Sequence, residues 1–300
     1  MAVVDDFYKG RDLPLKVDCP VFYIHAAEET KTLATVEAVV RWLLEQQADR
    51  DTLLLGIGGG IVTDIAGLAA SIYKRGMPYG LIPTTLLAQV DAAIGGKCGV
   101  NFDGYKNVLG CFAEPQFIYI DPSLTATLPP RQTRCGAAEM LKTFLIADAG
   151  AFDEAVRYFA SGRRDEAQLE ALVKRAVGIK CRIVEDDPFD RGGRHVLNLG
   201  HTFAHAIEKC TREYLHGEAV AIGIVKACEM SVKEGLLRPE AAQAIERGIS
   251  LAGLPTSCQA AGRELQNAIL QDKKRSGATL KYILLEDIGK PLIWEQSVTA

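Results

Sequence analysis

Two rhythms of apolar and polar positions run along this chain. Val21-Phe-Tyr-Ile is a short unbroken apolar run and predicts a strand. From Thr35 to Gln47 the residues Val36, Val39, Val40, Leu43 and Leu44 recur at helical spacing and share one face. Thr52-Leu-Leu-Leu-Gly predicts a buried strand that runs directly into Gly58-Gly59-Gly60, and Ile61 to Ser71 predicts a helix rich in small residues. Tyr79-Gly-Leu-Ile-Pro-Thr-Thr and Phe117-Ile-Tyr-Ile-Asp predict two more strands. Strands alternating with helices imply a parallel sheet with helices on both faces.

The pattern changes near residue 125. Beyond it come long amphipathic stretches, over Cys135–Ala147, Phe152–Ala160, Asp165–Val184, Thr202–Cys210, Glu218–Glu234 and Pro239–Ala252. Only Tyr282-Ile-Leu-Leu and Pro291-Leu-Ile-Trp, parted by Asp287-Ile-Gly-Lys, predict late strands or a hairpin. The chain therefore reads as an α/β domain over 1–125 and a mainly α-helical domain over 126–300. Thr127-Leu-Pro-Pro is the expected joint. No repeat and no low-complexity segment interrupts this order.

Composition narrows the class of protein. Of 300 residues 48% are hydrophobic and 24% charged, which is ordinary for a globular protein. A net charge of −4 without a basic tail argues against nucleic-acid binding, and leaves room for a local basic pocket that takes a small anion. The start, Met1-Ala-Val-Val-Asp-Asp, lacks the regions of a signal peptide, and no apolar run reaches the length of a bilayer span. The eight cysteines are scattered without a C-x-x-C pair, so they read as reduced thiols in a cytoplasmic protein.

Leu53-Leu-Leu-Gly-Ile-Gly-Gly-Gly-Ile-Val-Thr-Asp is strand, turn and helix. Glycines let backbone amides approach a phosphate, and a helix N-terminus favours negative charge. The G-x-G-x-x-G fingerprint fails at Ile61, and no G-K-[ST] follows. The turn is either a phosphate or dinucleotide site of another type or a tight turn that needs small residues. Lys97 and Lys106 sit in glycine-containing loops, and Arg75 ends Tyr-Lys-Arg. Singly these are surface cations; together beside a glycine turn they suit a polyanionic substrate.

Three of the five histidines, His201, His205 and His216, lie between positions 201 and 216. On a helix starting near Gly200, His201 and His205 share a face, with Glu208 further along. Two histidines and a distant carboxylate make an open zinc site with a position left for substrate. Glu139, an acid in an apolar helix with Lys142 one turn away, is a candidate third ligand. The alternative is that one or two of these histidines are core residues or helix caps. The spacing does not match H-E-x-x-H, which disfavours a metalloprotease.

Taken together, these segments resemble the 3-dehydroquinate synthase family. The resemblance rests on Gly58-Gly-Gly-Ile-Val-Thr-Asp-Ile-Ala-Gly, Pro83-Thr-Thr-Leu-Leu-Ala-Gln-Val-Asp, Gly95-Gly-Lys, Gly104-Tyr-Lys-Asn, Leu128-Pro-Pro-Arg, Ala138-Glu-Met-Leu-Lys, Leu197-Asn-Leu-Gly-His-Thr-Phe-Ala-His-Ala-Ile-Glu, Leu215-His-Gly-Glu-Ala and Asp272-Lys-Lys, all in family order. It implies an N-terminal Rossmann-related α/β domain that binds NAD, a helical domain that binds zinc or another divalent metal such as cobalt, and an active site between them. It places the metal ligands on Glu139, His201 and His216. Substrate-facing groups fall on Arg75, Asp91, Lys97, Lys106, Asn107, Lys142, Lys180, Arg194, Asn198, His205 and Lys273, with Lys274 as the alternative to its neighbour. Of these, Lys142, Asn198, His205, Lys97 and Lys180 are the expected catalytic set. Dinucleotide contacts fall on Gly59, Gly60, Asp64, Thr84 and Thr85, with Thr127, Glu28, Lys31 and Asp91 in support.

The resemblance further implies a cytoplasmic homodimer whose substrate is a phosphorylated keto-acid sugar, with no nucleic-acid or membrane partner. The implied reaction turns 3-deoxy-arabino-heptulosonate 7-phosphate into 3-dehydroquinate and phosphate, with NAD regenerated in each turnover. Two departures stand out. A short leader precedes Val21, where the family carries a further strand–helix–strand stretch. Thr63 stands where the family has glycine, and its branched Cβ is expected to restrict the backbone beside the pyrophosphate turn. The rival readings are another sugar phosphate cyclase of the 2-deoxy-scyllo-inosose or valiolone synthase type, a metal-dependent polyol dehydrogenase, and a non-catalytic remnant of the fold.

Overall fold

The computed structural model describes residues 1–13, 18–211, 213–259, 264–265, 268–269 and 279–297. The chain divides into two units, Met1–Leu128 and Pro129–Ala300. The first is built on a five-stranded parallel sheet of β1 (Ala2–Asp5), β2 (Val21–Ile24), β3 (Leu54–Gly58), β4 (Tyr79–Pro83) and β7 (Phe117–Ile118), in the order β2-β1-β3-β4-β7. Helices α1 (Leu33–Glu45) and α2 (Gly60–Ile72) connect β2 to β3 and β3 to β4.

This order decides which face each helix covers. The crossovers from β2 to β3 and from β3 to β4 move across the sheet in one direction, so right-handed connections put both helices on one face. There Val36, Val39 and Leu43 of α1 and Val62, Ile65 and Ala69 of α2 share a core with Val3, Leu54 and Leu81. The step from β1 to β2 runs the opposite way. Its segment therefore lies on the other face, where Tyr8, Leu13 and Leu124 pack on Ala2, Val4, Ile57 and Ile82. Helices on both faces, as the alternation suggested, are thus replaced by two helices on one face and turns on the other.

Three further differences from the sequence reading have physical reasons. The leader before Val21 contains a central strand. Ala2-Val3-Val4-Asp5 pairs with β2 on one side and β3 on the other, and a run of four was too short to stand apart from its polar neighbours. Lys97 and Lys106 lie on a hairpin of β5 (Lys97–Phe102) and β6 (Tyr105–Phe112) instead of in loops. Asp103 and Gly104 close it with φ of 49° and 78°, the double positive φ that an Asp-Gly turn supplies. Finally, Thr63 sits within the first turns of α2 with its hydroxyl donating to the Gly60 carbonyl at 3.0 Å. A branched residue in an ordinary helical conformation leaves the turn undisturbed.

The second unit contains α3 (Pro130–Ala147), α4 (Ala149–Ala160), α5 (Glu166–Asp186), α6 (His201–Cys210), α7 (His216–Lys233), α8 (Pro239–Leu251) and a hairpin of β8 (Thr279–Asp287) and β9 (Lys290–Ser297). Every α3 residue from Cys135 to Ile146 is buried, as are those of α7 from Gly217 to Val225. A helix buried on all sides shows no solvent stripe, and α3 lies against α4, α5 and α7. Asp148 caps α4 by accepting from Ala151 N at 3.0 Å, and Arg175 of α5 grips the same carboxylate at 2.7 and 2.8 Å.

Candidate metal centre and glycine turn

Glu139 lies in the middle of α3 with no solvent exposure. A carboxylate in that position needs compensation. Lys142, one turn on, brings Nζ to 2.6 Å from Glu139 Oε2. From α6 and α7, His201 Nε2 and His216 Nε2 approach Oε1 to 3.7 and 3.3 Å. Neither oxygen of Glu139 takes a well-directed hydrogen bond, so the cluster is held by charge without directed donors. Ligands of a tetrahedral divalent ion stand about 3.3–3.6 Å apart, and the two carboxylate–imidazole separations bracket that range. The three residues, with one donor atom each, lie within 4.8 Å of one another. A buried carboxylate that is paired with Lys142 through one oxygen and faces two imidazoles with the other fits a divalent metal.

Both rings are oriented from behind. His201 Nδ1 lies 3.3 Å from the Leu199 carbonyl, and His216 Nδ1 lies 3.4 Å from Glu208 Oε1. A ring whose Nδ1–H is held by a carbonyl or carboxylate turns the Nε2 lone pair toward the ion. Burial and the nearby Lys142 ammonium push His201 down to about 3. For His216 burial opposes the charge, but Glu139 and Glu208 outweigh it and raise the ring to about 10. Glu139 is held well below the usual carboxylate range, because Lys142 and the two imidazoles overcome its burial. Without an ion, a proton on His216 therefore neutralises the site.

Two glycines let the three helices meet. A Cβ on Gly217, next to His216, would fall 2.3 Å from the Cys135 carbonyl oxygen of α3. A Cβ on Gly223 would fall 2.1 Å from the carbonyl oxygen of Gly200, the residue that starts α6 with φ of 80°. So α7 rests backbone to backbone on α3 beside Glu139 and on α6 beside His201.

Other expected site residues of this unit fall nearby along the chain. His205 is exposed on α6, its ring 5.7 Å from that of His201. Asn198 is exposed at the end of the 3-10 turn Gly193–Asn198 that leads into α6. Arg194 is buried, donating to the Pro188 carbonyl at 2.8 Å, and Lys180 is buried on α5. The loop before Arg194 is built by Asp187, which accepts from the amides of Arg191, Gly192 and Arg194 at 2.9, 2.7 and 3.2 Å. Lys273 and Lys274 lie outside the described residues.

In the first unit the chain reverses its direction across the sheet between β1 and β3, and in such sheets ligands bind beyond the carboxyl ends of the strands at that point. Gly58-Gly59-Gly60 leaves the carboxyl end of β3 there. Its glycines answer close approach, not unusual dihedrals: Gly59 has φ of −75°, and a Cβ on it would meet the Thr85 methyl at 3.0 Å. Thr84 is buried and donates its amide to the Gly58 carbonyl at 2.9 Å. Lys31 is buried, with Nζ at 2.5 Å from Asp64 Oδ2 and 2.6 Å from Asn107 Oδ1. Three residues assigned separately, to cofactor and to substrate, thus form one network.

Glu28 Oε1 accepts from Asn101 Nδ2 at 2.8 Å and so ties the segment before α1 to β5. Asp91 lies in the helical turn Ala88–Ala92, and Thr127 is exposed at the end of the turn Pro122–Thr127. Arg75, Lys97 and Lys106 are exposed. The sequence reading missed the roles of Glu208 and Asp187. Glu208 stood on the histidine helix two turns from His201, a visible signal, whereas nothing in the spacing of Asp187 marks the loop it organises.

A glycine turn suited to a phosphate in one unit and a buried carboxylate–imidazole cluster in the other fit a nucleotide- and metal-dependent enzyme, and the comparisons give the family. It belongs to the 3-dehydroquinate synthase family: the N-terminal family model matches residues 21–135 and the C-terminal model residues 136–275. The 3-dehydroquinate synthase of Sulfurovum sp. (strain NBC37-1) is 42% identical over 272 residues, 90% of this chain and 77% of that protein. That of Campylobacter concisus (strain 13826) is 40% identical, over 89% of this chain and 77% of the other. Among solved structures, 2-epi-5-epi-valiolone synthase from Streptomyces hygroscopicus subsp. jinggangensis 5008, with NAD+ and Zn2+ bound, is 30% identical with a TM-score of 0.90, covering 99% of this chain and 86% of that one. A 2-deoxy-scyllo-inosose synthase complexed with carbaglucose-6-phosphate, NAD+ and Co2+ is 26% identical with a TM-score of 0.85, over 99% and 85% of the two chains.

Proposed function

We propose that this chain is an NAD- and divalent-metal-dependent lyase that converts 3-deoxy-arabino-heptulosonate 7-phosphate to 3-dehydroquinate and phosphate, a step toward the aromatic amino acids. The observation that carries the reading is the convergence of Glu139, His201 and His216, each imidazole turned by its own partner at Nδ1. Glu139, His201 and His216 would hold the divalent ion, zinc or cobalt, which would supply polarisation of the oxygen being oxidised, and bound NAD would supply reversible hydride acceptance. Oxidation at C5 acidifies the neighbouring proton, phosphate leaves by β-elimination, reduction restores C5, and an aldol step closes the ring.

The chain's own residues supply position and proton traffic. The amides around Gly59 and Gly60 and the side chains of Thr84 and Thr85 hold the pyrophosphate. Lys31 and Asp64, with Glu28, Asp91 and Thr127, complete the dinucleotide contacts. Arg75, Lys97, Lys106, Asn107, Arg194 and Lys273 hold phosphate and carboxylate and select the reacting conformer. His205 and Asn198, both exposed beside the metal ligands, orient hydroxyls and pass protons. Lys142 and Lys180 add charge where oxyanions form. The reading extends to a cytoplasmic homodimer, and the eight free cysteines suit a reducing compartment.

A second reading, another sugar phosphate cyclase, has in its favour the close structural match to the valiolone synthase. The higher identity to 3-dehydroquinate synthases over most of the chain favours the first. Phosphate release from the heptulosonate phosphate, with and without NAD and a chelator, tests it. Release that needs both NAD and metal is expected, and His201→Ala should lose bound metal and turnover together. Faster release from a sugar phosphate that lacks a carboxylate, or a fully active metal-loaded His201→Ala, would overturn the reading.

A further inference from the structure

One face of α3 carries Arg131, Cys135 and Glu139 at intervals of four residues, and each meets the start of α7. Glu139 faces His216, and the Cys135 backbone supports Gly217. Arg131 grips Glu218 with two bonds, Nε to Oε1 at 2.7 Å and Nη2 to Oε2 at 2.6 Å. The same Nη2 donates to the Glu213 carbonyl at 2.6 Å, so the guanidinium also holds the segment that leads into His216. Glu218 turns back to accept from the Leu215 amide at 2.9 Å, closing the first turn of α7 around His216. No role in the proposed chemistry uses Arg131 or Glu218.

We infer that Arg131 and Glu218 form a brace that positions His216 against Glu139 and thereby sets the affinity and geometry of the metal centre. The inference rests on the reading of Glu139, His201 and His216 as that centre. Three anchors in a row on α3 fix both the height of α7 along α3 and its rotation. A planar, bidentate arginine–carboxylate pair restrains rotation where a single contact would not. Arg131 is therefore a positioning residue, acting on the metal through the backbone of residues 213–218.

The test is titration of the full chain with cobalt(II), read by visible absorption and by competition with a chelating indicator. The variants are Arg131→Ala, Arg131→Lys, Glu218→Gln, Glu218→Ala and the double Arg131→Ala/Glu218→Ala. Arg131→Ala is expected to weaken cobalt binding about tenfold, the low end for residues that orient metal ligands, and to shift the absorption band. Arg131→Lys should restore part of the loss, and the double variant should be no weaker than the weaker single one. Parent-like affinity and spectrum in folded Arg131→Ala, or additive losses in the double variant, would overturn the brace. So would a lowered melting temperature with an unchanged cobalt spectrum, which is what a purely structural role gives. If Arg131→Ala does not fold, Arg131→Lys and Glu218→Gln decide by the same criteria. A parent protein that takes up no cobalt refutes the metal centre and the brace together; uptake with unresponsive variants refutes the brace alone.

Discussion

Lys142→Met separates the roles of lysine and metal at Glu139. The substitution keeps the unbranched stem and removes the ammonium, so packing changes little. The pair it breaks is 2.6 Å apart, with side chains 2% and 0% exposed. Removing one partner of such a buried pair costs about 3–5 kcal/mol, since the other charge is left uncompensated. Here the lower end applies, because protonated His216, 3.3 Å from Glu139, still offsets part of the carboxylate. For a domain of this size that loss lowers the melting temperature by roughly 6–12 °C. With excess zinc the ion faces the same carboxylate, and the difference between parent and variant should shrink. The assay is thermal unfolding followed by circular dichroism, with chelator and with zinc. A loss below about 1 kcal/mol in chelator, small against the cost of an unpaired buried charge, would refute this account, as would equal losses in both conditions.

Gly223→Ala places a methyl against the Gly200 carbonyl oxygen; it should cost about 1–3 kcal/mol by overpacking and weaken metal uptake, measured by melting and cobalt titration. Lys31→Met removes the centre of the network with Asp64 and Asn107; NAD affinity by calorimetry should fall at least several-fold, while metal content measured on the same sample stays at the parent level. Asp148 is held below its usual carboxylate value, since its bonds from the Ala151 amide and Arg175 overcome its partial burial. Its contribution to stability is therefore present above pH of about 4 and is lost as pH falls through the lowered folded value. Asp148→Asn should flatten the acid limb of a stability–pH curve, and an unchanged slope would dismiss the carboxylate's contribution.

Most helices of the second unit were legible because each carries a long periodic pattern, and the buried α3 was legible through its small and apolar residues. The proposed metal ligands were not derivable from spacing alone. Glu139 and His201 are brought together by tertiary packing, in part through Gly223 on Gly200 and Gly217 on Cys135, and single-residue contacts of that kind leave no periodic trace. Strand β1 was hidden by its length of four residues. The hairpin of Lys97 and Lys106 was hidden by its glycines, although Asp103-Gly104 signalled its turn. The faces of the sheet could not be assigned until the strand order β2-β1-β3-β4-β7 was known.

The proposed ligands Glu139, His201 and His216 come from three different helices, α3, α6 and α7. An ion seated among them is then a staple as well as a reagent, since its binding energy adds to the cohesion of the helical unit. Metal starvation would accordingly cost this protein twice, first in chemistry and then in resistance to proteases, and the amount of intact chain in a cell should track its metal supply.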